Sequence, residues 1–115
     1  MFPKTVEFDY YVPDDLWFFD GHFPNNPVFP GIMLISLGID KFRGKYPYFG
    51  HYRLHRISYC RFKDIVRPYE YIKLKFIISG QDDKEKGLEM NYIIEKSGKT
   101  CLKASLSFIK GALHD

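Results

Sequence analysis

One segment limits what this chain can become. From Ile32 to Phe42 the apolar residues Ile32, Met33, Leu34, Ile35, Leu37, Ile39 and Phe42 cover nearly every angle of a helical wheel, and a helix that is apolar almost all round has to be enclosed rather than laid on a surface. Its basic last turn, with Lys41, Arg43 and Lys45, suits the negative end of a helix, and Gly44 and Pro47 are the expected stop. No second helical period follows, so the enclosing wall has to come from strands. Lys4 to Val12 alternates and is rich in β-branched and aromatic residues, ending at Pro13 and the acidic pair Asp14-Asp15. Tyr71 to Ser79 sets Ile72, Leu74, Phe76 and Ile78 against Tyr71, Lys73 and Lys75 on the other face. The same pattern returns in Leu88, Met90, Tyr92 and Ile94, and again in Leu102, Ala104, Leu106 and Phe108. His51 to Val66 reads as one further extended region, bent where Asp64 to Pro68 interrupt it. Gly80 to Gly87 is a polar connector, and Ser97-Gly98 is a tight turn whose glycine accepts positive φ, so neighbouring strands pair antiparallel. The expected architecture is α+β: one curved antiparallel sheet wrapped around one central buried helix, as a single domain over residues 1–115.

Composition supports that geometry. Eleven Phe and nine Tyr in 115 residues need walls to pack against, and cross-strand ring pairs supply them. So short a chain keeps a high surface-to-volume ratio, which favours burying more area in at least a dimer. The net charge of +3 permits an acidic macromolecular partner, but Lys and Arg are spread over the strands and no nucleic-acid motif is present. Cys60 and Cys101 have a spacing that fits neither a zinc knuckle nor a disulfide framework, and both read as buried thiols on strands. His51 and His55 lie too far apart on a strand to chelate easily, so no metal is expected. Met1 to Lys4 lead straight into the first alternating run, and no apolar stretch approaches the ~20 residues of a membrane span, which makes the cytoplasm the expected location.

The chemistry concentrates just before the apolar helix, in Asp20-Gly21-His22-Phe23-Pro24-Asn25-Asn26-Pro27-Val28-Phe29-Pro30-Gly31. Each Pro fixes its own φ and pushes the preceding residue toward extended geometry, so Phe23, Asn26 and Phe29 have little helical freedom. A histidine is thereby held in a stiff loop. Pro30 and Gly31 then open the helix, whose first N–H groups have no intrahelical partners and are free to meet a polarised oxygen.

These residues resemble the hot-dog fold, and His22-Phe23-Pro24, Pro27-Val28 and Pro30-Gly31 resemble the signature loop of the 3-hydroxyacyl-acyl-carrier-protein dehydratases of fatty acid synthesis. Arg61-Phe62-Lys63 followed by Val66-Arg67-Pro68 is similar to that family's basic strand end and turn, with altered spacing. The short chain and the Asp15-Leu16-Trp17-Phe18 run look most like the dehydratases of aryl-polyene and related lipid pathways. The resemblance implies a dimeric or larger homo-oligomer, or a heterodimer, that takes an acyl group from an acidic acyl carrier protein and needs no cofactor. It also implies that the loop histidine is the base, and that a carboxylate five residues after the Gly of Pro-Gly is the acid across a dimer interface. Here that position is Ser36, a departure from the pattern.

Removing water from a 3-hydroxyacyl thioester needs a base at C2, a donor for the thioester oxygen and an acid for the leaving hydroxyl. His22, neutral for the most part at physiological pH, fits the first need; the competing reading has it bonding loop carbonyls. The Gly31 N–H, with that of Ile32, fits the second, an effect worth roughly 3 to 4 kcal/mol of barrier, against a plain Pro-first helix start. For the third, Ser36 can hold a water or bond the hydroxyl, but its pKa is too high for efficient proton donation. Asp40 lies one turn on, roughly 6 Å along the axis, where pairing with Arg43 competes with catalysis. Phe23, Phe29, Pro30, Ile32 and Phe62 are the expected acyl-binding residues, with ordinary core as the alternative for the rings. Arg61, Lys63 and Arg67 form the expected carrier-protein patch, which Arg53, Arg56 and Lys110 extend unless they are scattered surface charge. Two other activities fit the same pattern: a half-site or non-catalytic acyl-binding subunit of a hot-dog heterodimer, which Ser36 favours, and an acyl-thioester hydrolase.

Overall fold

Alternating side chains become paired strands. The computed structural model describes residues 2–19, 27–82 and 87–111. Among them run β1 (Thr5–Tyr11), α1 (Gly31–Lys45), β2 (Tyr52–Phe62), β3 (Tyr71–Asp82), β4 (Gly87–Lys96) and β5 (Lys99–Lys110). The strands form one sheet in the order β1-β3-β4-β5-β2, with every neighbouring pair antiparallel. Between β4 and β5 both turn residues adopt positive φ, 51° at Ser97 and 77° at Gly98, the backbone of a hairpin turn whose twist matches its strands. Strands β3 and β4 run further than the polar connector between them led one to expect, reaching Asp82 and resuming at Gly87.

The period-two apolar sets all face the helix. Ile72, Leu74, Phe76 and Ile78, then Leu88, Met90, Tyr92 and Ile94, then Leu102, Ala104, Leu106 and Phe108 are buried. From α1 the buried residues are Leu34, Ile35, Gly38, Ile39 and Phe42. Phe42 meets Phe49, Phe76 and Phe2 with ring centroids 4.7, 5.1 and 5.5 Å away. Tyr92 sets the depth of the helix: its hydroxyl donates to the Leu34 carbonyl at 2.8 Å, and a Cβ on Gly38 would lie 2.4 Å from its ring. Any side chain at position 38 would lift α1 off the sheet.

The sheet covers only one side of α1. Ile32 is 64% exposed, and Ser36 and Asp40 are exposed as well, so within one chain the helix is not enclosed all round as its wheel led one to expect. A single concave sheet has one face to offer. Gly44 stays inside the helix, which ends at Lys45, and Pro47 opens a short 3-10 turn through His51. His51 therefore does not share a strand with His55.

Strand β2 is the sheet's outer edge beyond β5, and every residue after Tyr52 is exposed along it, Leu54, Ile57, Tyr59 and Phe62 included. Its register against β5 shifts between Leu54 and Arg56 and again between Ile57 and Tyr59. Because β2 has no neighbour on its outer side, Cys60 is exposed, whereas Cys101 on β5 is buried as expected. No helix among the described residues is long and apolar enough to cross a membrane.

Tyr92→Phe is expected to cost about 1 kcal/mol by losing the bond to Leu34, and Gly38→Ala about 1–3 kcal/mol through overpacking. Urea unfolding of the two variants checks both values and their order.

Candidate active site

A cavity of about 490 Å³ lies between the start of α1 and the end of β2. The helix contributes Gly31, Ile32, Leu34 and Ile35; β2 contributes Ile57, Cys60 and Phe62; the next loop contributes Asp64, Ile65 and Val66. Val28, Phe29 and Pro30 complete the lining where the chain enters the helix. Such a wall suits an alkyl chain, since it offers apolar surface and few polar groups.

The helix entry is fixed from both sides. The Phe29 N–H donates to the Val66 carbonyl at 2.7 Å, which ties the pre-helix segment to the loop after β2. Pro30 is the N-cap residue, extended at φ −61° and ψ 138°, and makes no side-chain cap. Its carbonyl accepts from both Met33 at 3.0 Å and Leu34 at 3.1 Å. The Gly31 and Ile32 amides precede those first bonded donors, so helix geometry gives them no acceptor within α1. Both residues line the cavity at the positive end of the helix.

Phe62 packs directly on that point. A Cβ built on Gly31 would collide with the Phe62 ring, so the glycine lets the ring come close to the backbone there. The ring is 54% exposed, held on its Gly31 side and open on the other. Phe29, by contrast, is 4% exposed and packs on Phe18 and Phe19 at 4.7 and 5.9 Å. It is both core and cavity wall.

Of the residues expected to act, the structure brings Gly31, Ile32, Pro30, Phe29 and Phe62 to one cavity. His22 and Phe23 lie outside the described residues. Ser36 and Asp40 do not line the cavity; both are exposed, Ser36 one turn beyond the lining residue Ile32 and about 40° round the helix from it. Arg61, Lys63 and Arg67 are all exposed and neighbour the lining residues Phe62, Ile65 and Val66 in sequence, but none of them lines the cavity. Arg67 is tied back through its N–H to Glu70 Oε1 at 2.6 Å. Lys110 lies elsewhere, donating to the Tyr48 hydroxyl at 2.7 Å.

Sequence reasoning missed Asp64, Ile57, Cys60 and Ile65 as lining residues. Asp64 brings a carboxylate to the cavity, but its Oδ1 accepts from the Ile65 N–H at 2.8 Å and its Oδ2 lies 3.7 Å from Lys96 Nζ. Desolvation raises the pKa of the Cys60 thiol. Among the described residues no group of His, Cys, Asp and Glu could hold a metal ion.

A family model described as the ApeI dehydratase matches residues 2–105. The chain belongs to the ApeI-like dehydratase family. Among curated relatives of this ApeI-like chain, the 3-hydroxyacyl-[acyl-carrier-protein] dehydratase FabZ of Lactobacillus helveticus is 32% identical over 102 residues, covering 80% of this chain and 64% of the relative. FabZ of a Thermoanaerobacter species is 33% identical over 103 residues, covering 80% and 67%. The ApeI-like chain thus spans about two thirds of their length. Among solved structures, the dehydratase heterocomplex ApeI:P from Xenorhabdus doucetiae superposes with a TM-score of 0.69 at 20% identity, over 93% of this chain and 88% of that one. The fold is the hot-dog fold.

Gly31→Ala is expected to displace the Phe62 ring and to cost about 1–3 kcal/mol. In a Phe62→Ala background the same change should cost nearly nothing. A double-mutant cycle on thermal unfolding measures that coupling.

Proposed function

We propose that this chain eliminates water from a 3-hydroxyacyl thioester to give the 2-enoyl thioester, working in the cytoplasm on acyl groups presented by an acyl carrier protein. The observation that carries the reading is the uncapped start of α1 opening at Gly31 onto an apolar cavity of about 490 Å³, in a member of a dehydratase family. In this reading His22 takes the C2 proton and the C2–H electron pair moves toward the thioester. The Gly31 N–H, with that of Ile32, holds the thioester oxygen as charge develops on it. The C3–O bond then breaks, the C2=C3 double bond forms, and the hydroxyl leaves as water with a proton from an acid. Phe29, Phe62 and Pro30 flank the acyl chain, and the exposed Arg61, Lys63 and Arg67 draw in the acidic carrier.

The acid belongs to a second subunit in this reading. Ser36 and Asp40 lie on the exposed side of α1, outside the lining of their own chain's cavity, and β2, with no strand on its outer side among the described residues, offers edge N–H and C=O groups for another β2 to pair with. A second copy joined there buries Leu54, Ile57 and Tyr59. Because a serine hydroxyl is a poor proton donor, Ser36 also supports a second reading, in which this chain is the His22-bearing half of a heterodimer whose partner supplies the carboxylate. Thioester hydrolysis has less support, since the carboxylate that lines the cavity, Asp64, is occupied by Ile65 and Lys96.

His22→Ala is expected to abolish formation of the 2-enoyl product while the far-ultraviolet circular dichroism stays unchanged; a full rate in that variant removes His22 from the mechanism. Ser36→Glu should raise turnover of the purified chain if the acid is what the homo-oligomer lacks. Asp40→Asn tests the other candidate, with unchanged turnover rejecting it. Release of free thiol instead of the enoyl product would replace dehydration by hydrolysis. A 3-hydroxyacyl pantetheine thioester should also slow alkylation of Cys60, which shares the cavity wall with the proposed acyl chain.

A further inference from the structure

Lys96, the last residue of β4, does not touch the cavity, yet three points of the loop that walls it converge on its ammonium group. Its Nζ donates to the Ile65 carbonyl at 2.8 Å, pairs with Glu70 Oε2 at 3.0 Å and lies 3.7 Å from Asp64 Oδ2. The Lys96 side chain is 19% exposed, Glu70 29% and Asp64 51%, so the Glu70 pair is the better shielded of the two. The loop's ends are held by backbone bonds, to which the Tyr69 hydroxyl adds one, donating to Asp14 Oδ2 at 2.6 Å. The Lys63 and Asp64 amides both donate to the Cys101 carbonyl at 2.7 and 3.2 Å, and the Tyr69 N–H donates to the Val12 carbonyl at 2.7 Å. Between those anchors, Val66 accepts the Phe29 N–H, and Phe29 leads through Pro30 into the Gly31 amide.

We infer that Lys96 is a positioning residue: by gathering Asp64, Ile65 and Glu70 it holds the Val66 carbonyl where it fixes Phe29, and so sets the Gly31 amide relative to the cavity. The ammonium is suited to the task. Partial burial lowers its pKa, but the hydrogen bond and charge of Glu70, with the charge of Asp64, raise it further, leaving it above the ordinary lysine value. An apolar side chain of similar length would fill the space without gathering the three oxygens.

The link from Lys96 to Phe29 stands apart from the dehydratase reading; only its effect on turnover rests on that reading. Lys96→Met is expected to speed hydrogen exchange of the Phe29 amide about tenfold while the Tyr92 amide in the middle of β4 keeps its protection, and Lys96→Arg to restore Phe29. With a 3-hydroxyacyl pantetheine thioester, Lys96→Met should lower kcat about tenfold and leave KM within about twofold. Unchanged exchange at Phe29, or equal loss at Phe29 and Tyr92, overturns the inference, and so does a loosened Phe29 with an unchanged kcat. Should Lys96→Met not fold, Glu70→Gln weakens the same cluster from the loop side and is read by the same two amides. A wild-type chain with no dehydratase turnover defeats the proposed function while exchange still decides the Lys96 link.

Discussion

The approach of α1 to the sheet at Gly38 and Tyr92 is the constraint on which the rest depends. Because position 38 carries no side chain, the Tyr92 ring closes against the helix and its hydroxyl reaches Leu34. That distance decides how far Phe42 sinks among Phe2, Phe49 and Phe76, and how close the start of α1 comes to β2. The cavity lies where this packing stops. Toward the N-terminal end of the helix the rings give way to Gly31, Leu34 and Ile35, and the space between them and β2 is left open. The site is therefore a property of how the core tapers.

Much of the fold was legible because its signals are local. Period-two patterns in β3, β4 and β5 marked the buried residues directly, since each strand has one face on the helix. Ser97-Gly98 marked its turn for the same reason. Less legible was anything set by a neighbour distant in sequence. The wheel of Ile32 to Phe42 gave an enclosed helix, but the sheet covers one side and leaves Ile32 outside, so the apolar residue reflects a surface that the single chain does not bury. Cys60 read as buried because strands usually have a covered face, whereas β2 sits at an edge. Gly31 and Phe62 were each assigned to the site from separate motifs; that one exists to make room for the other needed coordinates. Asp64 and Lys96 carried no signal beyond the break after Phe62.

The exposed side of α1 gives the departure at Ser36 its meaning. Position 36 lies outside the cavity lining, one turn beyond Ile32 on the exposed side of the helix. Gly31, Phe29 and Phe62 line the cavity without Ser36, so in the proposed mechanism the serine leaves the acyl-binding wall and the oxygen donor in place.

The order of the strands carries a consequence for how the molecule is assembled. β3, β4 and β5 follow one another as a meander whose β4–β5 hairpin pairs Lys96 with Lys99 across its turn, while β2 meets β5 only through distant partners such as Tyr52 with Lys110. Closing that long span costs chain entropy before any contact repays it, so the central hairpins are expected to form early and the outer strand to dock late. Ile57, Cys60 and Phe62 of the cavity wall ride on that late strand, and the cavity is thus the portion of the molecule completed after its scaffold already stands.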